Sequence, residues 1–70
     1  MTTKLTKREY DILIRAGWSD ADTANQLGLS PVTVRNYWVT IFHKLQAHGK
    51  AQAALKAMRL GLVNIYHFII

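Results

Sequence analysis

The apolar positions of this chain fall into helical groups separated by turn residues. Tyr10, Leu13 and Ile14 recur at helical spacing, with Ile12 and Ala16 beside them, and Gly17 follows. Just upstream, Thr6-Lys7-Arg8-Glu9 has the form of a capping box. The threonine hydroxyl can accept from the Glu9 amide while the glutamate reaches back to the Thr6 amide. A first helix is predicted over about 7–16. Ser19 opens a second, with Asp20 and Asp22 in its first turn, where negative charge complements the helix dipole. Ala21, Ala24 and Leu27 give it an apolar edge and Gly28 stops it, predicting 20–27. Ser30-Pro31 is the clearest boundary, because proline suits the first helical position, where an amide would be unpaired. From there Val34, Trp38, Ile41 and Leu45 advance by four, three and four, one apolar stripe on a helix of about 31–46. After a short link around Ala47–Gly49, a fourth helix rich in Ala and Leu is expected over about 50–60, ending at Gly61. The apolar tail, residues 62–70, reads equally as a short strand, a cover on the core or a partner-binding segment. With no internal repeat or linker, the expectation is one all-α, four-helix domain over residues 1–70.

Composition narrows the functions. Seventy residues make one thin-cored domain, burying only about 60% of the surface the unfolded chain exposes. A hydrophobic fraction of 50% with 19% charged residues is that of a globular chain. The absence of cysteine excludes disulfides and thiolate metal sites, and fits a cytoplasmic location. No apolar run approaches the roughly 20 residues of a membrane span, and the first residues lack the apolar core of a signal peptide. Charge is distributed unevenly. All four acids, Glu9, Asp11, Asp20 and Asp22, lie within the first 22 residues, where Lys4, Lys7, Arg8 and Arg15 balance them. The whole net charge of +5 therefore belongs to residues 23–70, on Arg35, Lys44, Lys50, Lys56 and Arg59. Such a surface suits a polyanion, either nucleic acid or an anionic membrane; a merely soluble basic domain is the plainer alternative.

The informative unit is residues 20–37. A helix-turn-helix needs a small residue where its helices cross, a glycine in the turn and an apolar anchor early in the second helix. Ala24, Gly28 and Val34 stand at those offsets, and Leu27 and Leu29 flank the turn. The likeness extends to Leu5-Thr6-x-Arg8-Glu9, Gly17-x-Ser19, Ala24-x-x-Leu27-x-Leu29-Ser30-x-x-Thr33-Val34-Arg35, Ile41-x-x-Lys44-Leu45 and Ala53-x-x-x-Ala57-x-x-x-Gly61-Leu62-Val63. Across residues 5–63 the chain resembles the LuxR/GerE-type DNA-binding domain. The resemblance implies four helices, the second and third forming the helix-turn-helix, the third entering the major groove and the fourth often mediating dimerisation. It also has departures: Asp22-Thr23 replaces the usual acidic-Ile pair, Tyr37 a frequent His, Thr40 a frequent Asn, and Lys50 a frequent Arg.

With the stripe facing inward, the third helix presents Val32, Arg35, Asn36, Val39 and His43 on its other side. Arginine pairs bidentately with guanine, asparagine with adenine, and a valine methyl meets a thymine methyl. The resemblance points to the same three base readers, Arg35, Asn36 and Val39. Ser30 and Thr33, near the helix N-terminus, are expected on phosphates, with Tyr37, His43 and Lys44 as further phosphate contacts. Against these stand plain alternatives. Arg35 and Asn36 could be solvated surface groups, Trp38 fits the core better than a stacking platform, Tyr37 suits packing or phosphate contact, and Trp18 suits packing before a helix cap. His43, His48 and His67 lack metal spacing, and no nucleophile–base arrangement or phosphate loop is present, so no metal, cofactor or enzymatic activity is expected. Leu55, Met58 and Leu62 form a row that either makes a dimer interface or lies against the tail. The leading expectation is a sequence-specific regulator of transcription that binds double-stranded DNA, as a homodimer and away from membranes. The chain is expected to be either a stand-alone regulator or a fragment of a longer protein, and Met1 and the segment after Val63 lean toward the former. The alternative is a small inhibitor that binds a full-length LuxR-type activator through the fourth helix and the tail. A sigma-factor region-4-like module is a third option, opposed by the Ala-rich fourth helix.

Overall fold

The computed structural model describes residues 4–69 and contains four α-helices: α1 (Lys7–Leu13), α2 (Asp20–Leu27), α3 (Pro31–Leu45) and α4 (Lys50–Arg59). A 3-10 turn, Ile65–His67, follows. The central element is α3, which packs against the other three helices, and α1 also touches α4. Its stripe of Val34, Trp38, Ile41 and Leu45 is buried against Ile12, Leu13 and Ile14, against Ala24, and against Ala53 and Ala57.

Each helix start is set by the residues that sequence spacing singles out. The Thr6 hydroxyl accepts from the Glu9 amide at 3.2 Å, and Glu9 Oε1 accepts from the Thr6 amide at 2.8 Å. Ser19 Oγ caps α2 through the Asp22 amide, and Ser30 Oγ caps α3 through the Thr33 amide, both at 3.1 Å. The first helix is shorter than its periodicity predicts. It ends at Leu13, and Arg15 and Ala16 close tighter turns onto Ile12 and Leu13. Ile12, Leu13 and Ile14 are all buried before the tighter turns begin, and the Ile14 amide still bonds Tyr10 O in the helical pattern at 3.0 Å.

The helix ends share one device. After α2, α3 and α4 a residue enters the left-handed region: Gly28 (φ 71°), Gln46 (φ 52°) and Gly61 (φ 75°). The next amide then bonds back to the fifth residue before it: Leu29 to Ala24, Ala47 to Phe42, Leu62 to Ala57. Each time the chain turns an apolar side chain back onto the core. Sequence signals the two glycines but not Gln46, whose carbonyl is held by the Lys56 ammonium. Gly49, in extended conformation, caps α4 without a side-chain bond.

The tail proves to be a cover on the chain's own core. Phe68 packs on the core cluster, the Ile69 amide donates to Ile14 O at 2.8 Å, and Trp18 Nε1 donates to Ile69 O at 2.9 Å. Of the domain expected over residues 1–70, residues 1–3 and Ile70, the last of the tail, lie outside the described residues.

Two lysines tie the helices together electrostatically. Lys44 Nζ on α3 donates to Glu9 Oε1 at 2.7 Å, and Lys50 Nζ on α4 donates to Asp20 Oδ1 at 2.8 Å. Lys50 also reaches Trp18 O at 3.2 Å and lies 5.3 Å from the centre of the Trp38 ring. Burial alone would raise the Glu9 carboxyl's pKa. The Lys44 hydrogen bond and charge, with the Thr6 backbone and side chain, outweigh burial and hold it below its ordinary 4.5.

A depressed carboxyl stabilises the fold above its ordinary value and ceases to do so as pH falls through its folded value. Stability is therefore expected to decline as pH drops below 4.5. Lys44→Met should cost about 1–2 kcal/mol at neutral pH and make that acid-side decline shallower, the Thr6 bonds to Glu9 remaining. Denaturant unfolding across pH measures both, and parallel curves for the two proteins would contradict the ion-pair account. Thr23 supplies a second test. It is 1% exposed and its hydroxyl has no hydrogen-bond partner. Thr23→Val keeps the shape and removes the desolvated hydroxyl, so stability should rise by about 1 kcal/mol. A melting temperature that stays level or falls would show that the hydroxyl costs nothing.

Candidate nucleic-acid interface

Burying one side of α3 decides what the other side offers. Val34, Trp38, Ile41 and Leu45 are at most 4% exposed. Arg35, Asn36, Val39, Thr40 and His43 are exposed, as is Val32 at 62%. At about 100° per residue, Val32, Asn36, Val39 and His43 fall along one line on the outward surface, with Arg35 beside it. Among the described residues, no hydrogen bond or ion pair engages the Arg35 guanidinium or the Asn36 amide. Both are therefore free to bond a ligand. The Asn36 carbonyl is taken by the Thr40 hydroxyl at 3.3 Å, which leaves its side chain unaffected.

The turn preceding α3 fixes where that surface begins. Ala24 is 2% exposed, so α2 and α3 cross closely, and Gly28 supplies the left-handed residue that lets Leu29 fold under the turn. Ser30 and Pro31 then start α3. The first turn offers limited capacity for an anion. Pro31 has no N–H, the Thr33 amide goes to Ser30 Oγ and the Val34 amide to Ser30 O. The Val32 amide is left, beside the Ser30 and Thr33 hydroxyls, which lie 2.9 Å apart and bond each other. Both hydroxyls retain acceptor or donor capacity toward solvent.

The structure groups the remaining candidates unequally. Tyr37 is half-buried, its ring against the core, with no hydrogen bond to its phenol among the described residues. His43 stands on the outward side and lines an open groove with Val39, Phe42 and His48 at the end of α3. Lys44 is different. Its ammonium is drawn to Glu9 and to Lys4 O at 3.1 Å, on the α1 side of the helix. The spacing signal that suggested a phosphate contact cannot see a carboxylate 35 residues away. Trp38 is in the core, in contact with Phe42 at a ring separation of 5.6 Å.

On α4 the predicted row divides. Leu55 is 63% exposed, whereas Met58 and Leu62 are half-buried against the core. Ala53 and Ala57 are the residues that meet α3's side of the core, both fully buried. Among the described residues, no cluster of three His, Asp or Glu side chains could hold a metal ion, and no helix is long and apolar enough to cross a membrane.

Comparison with known proteins agrees with this arrangement. The family profile described as bacterial regulatory proteins, luxR family (GerE), matches residues 3–57. The HTH-type transcriptional activator RamA of Corynebacterium glutamicum is 36% identical over 62 residues, covering 86% of this chain and 22% of its own length. The response regulator UvrY of Escherichia coli is 39% identical over 62 residues, covering 86% of this chain and 28% of its own length. The chain thus spans about a quarter of the length of these curated relatives. With a four-helix fold, a helix-turn-helix at residues 20–45 and a family match over most of its length, the chain belongs to the luxR family of bacterial regulatory proteins.

Proposed function

We propose that this chain is a DNA-binding module of transcription regulation that reads double-stranded DNA by placing α3 in the major groove. One observation carries the reading. The outward side of α3 holds an uncommitted guanidinium and an uncommitted amide between exposed valines, on a helix whose opposite side is locked into the core. No Asp or Glu occurs in residues 23–70, so no carboxylate on α3 or α4 opposes a polyanion. Arg35 bonds guanine O6 and N7, Asn36 bonds adenine N6 and N7, and Val39 meets a thymine methyl. Ser30, Thr33, Tyr37 and His43 contact phosphates on either side and set the register of the helix in the groove. Lys44 is left out of this set because it serves Glu9.

The module acts as a homodimer joined through α4, with Leu55 at the centre of the contact and the exposed edges of Met58 and Leu62 beside it. A two-fold dimer reads paired half-sites one helical turn, or a multiple, apart. A second reading, binding to a full-length LuxR-type activator, draws support from Leu60, Ile65 and Tyr66, which are 57%, 63% and 90% exposed next to α4. Selection of bound sequences from random duplexes separates the two readings. An enriched, symmetric motif supports the dimeric regulator, and absence of any motif removes it.

On the selected site, Arg35→Ala should weaken binding by about 1–3 kcal/mol and relax preference at one base pair. Its melting temperature should match the parent's, since the side chain is exposed and unpaired. Equal losses on selected and random duplexes would reduce Arg35 to a phosphate contact. Affinity should also fall linearly with log salt, by about 0.9 for each phosphate neutralised. A flat salt response would contradict binding that neutralises phosphates.

A further inference from the structure

Val32 is the one residue on the outward line of α3 to which the base-reading scheme gives no role. It is among the most exposed large apolar residues of the chain, at 62%, and Val39 is 46% exposed. Both positions are unfavourable for valine on local grounds. A β-branched side chain restricts a helix, and apolar surface left in water gains nothing from burial. The core does not call for either: Val34 and Trp38 already fill the inward side at those levels of the helix. The two valines lie on the same side, one helical turn before and one after the free Arg35 and Asn36 side chains. Pro31 fixes the first of them at the helix entrance.

We propose that Val32 is a second apolar base reader, which together with Val39 brackets Arg35 and Asn36 and selects half-sites carrying two thymine methyl groups about three base-pair steps apart. Seven residues at 1.5 Å each separate the valines by about 10.5 Å, and stacked bases advance about 3.4 Å per step. In the major groove thymine alone among the four bases carries a methyl group, so an alkyl side chain there discriminates by shape rather than by hydrogen bonding. The guanidinium and amide between the valines reach the intervening purines. A half-site is therefore read apolar, polar, apolar along the helix. This inference rests on the DNA-reading role proposed above.

Deoxyuridine is the appropriate probe, because it keeps every Watson–Crick and groove hydrogen bond of thymine and removes only the methyl. The full chain would first be used to select its site. Each thymine of the half-site would then be replaced by deoxyuridine in turn, and affinity measured for the parent, Val32→Ala and Val39→Ala. Two positions should each lose about fourfold in affinity, the value of one buried methyl. Val32→Ala should make binding indifferent to the methyl at one of them, and Val39→Ala at the other. A selected motif whose deoxyuridine penalties are unaffected by Val32→Ala overturns the role of Val32 and leaves the DNA reading intact. A selection that enriches no sequence overturns both.

Discussion

The angular register of α3 governs everything else in this molecule. Its four buried residues occupy a single stripe, and the other helices supply the surfaces that receive it. Turning the helix by one residue, about 100°, would carry Arg35 to the buried place of Val34, and Ile41 and Leu45 to the exposed places of Thr40 and Lys44. Neither is tolerable: a buried, unpaired guanidinium is prohibitive, and two large apolar side chains would lose their burial. Core packing thus fixes the orientation of the proposed reading surface without Arg35, Asn36 or Val39 taking part. The back of α3 is buried and its front is exposed.

Charge is organised by the same logic. Glu9 and Asp20 sit near the starts of α1 and α2, and each is paired with a lysine from a later helix, Lys44 and Lys50. Two of the five cations in residues 23–70 are thus internal braces, and Lys56 holds the Gln46 carbonyl. The basic excess seen in the sequence is real in sum but is not gathered on one surface. On the outward side of α3 the cation is Arg35, so the proposed base reading places its charge-assisted discrimination in one side chain, while the net +5 would supply long-range attraction to a polyanion.

Local order was legible where one residue type has one physical use. Thr6 with Glu9, Ser19, Ser30-Pro31 and Gly28 each mark a helix end because the cap or backbone conformation requires them, and all four mark it in the structure. The α3 stripe was legible because its period is unambiguous. What escaped was long-range or context-bound. The early end of α1 lies in tighter turns at Arg15 and Ala16, which the apolar spacing does not signal. Gln46 adopts a conformation usually left to glycine because the following residue must turn back onto the core. Lys44 looked free because its partner is remote in sequence. Thr23 was legible as a departure from the acidic-Ile pair that the resemblance implies, but not as a buried residue whose hydroxyl has no partner among the described residues. Lys50, in place of an arginine, still bridges Asp20, the Trp18 carbonyl and the Trp38 ring, as a point charge with several neighbours in reach.

The tail bears on how DNA and a partner could be held together. By placing Phe68 on the core and bonding Ile69 to Ile14 and Trp18, it fills the space over the α1–α2 turn with the chain's own residues. That leaves the outer side of α4 uncovered. Ala53 and Ala57 are small enough to bring α4 close to the core, and Leu55 consequently projects from the side opposite them. The outward side of α3 is likewise opposite its own buried stripe. Two helices packed back to back through their small and apolar positions present their free sides in different directions. Occupation of α4 by a second chain, as proposed, would therefore leave Arg35 and Asn36 uncovered, and both copies of α3 would stay open to DNA.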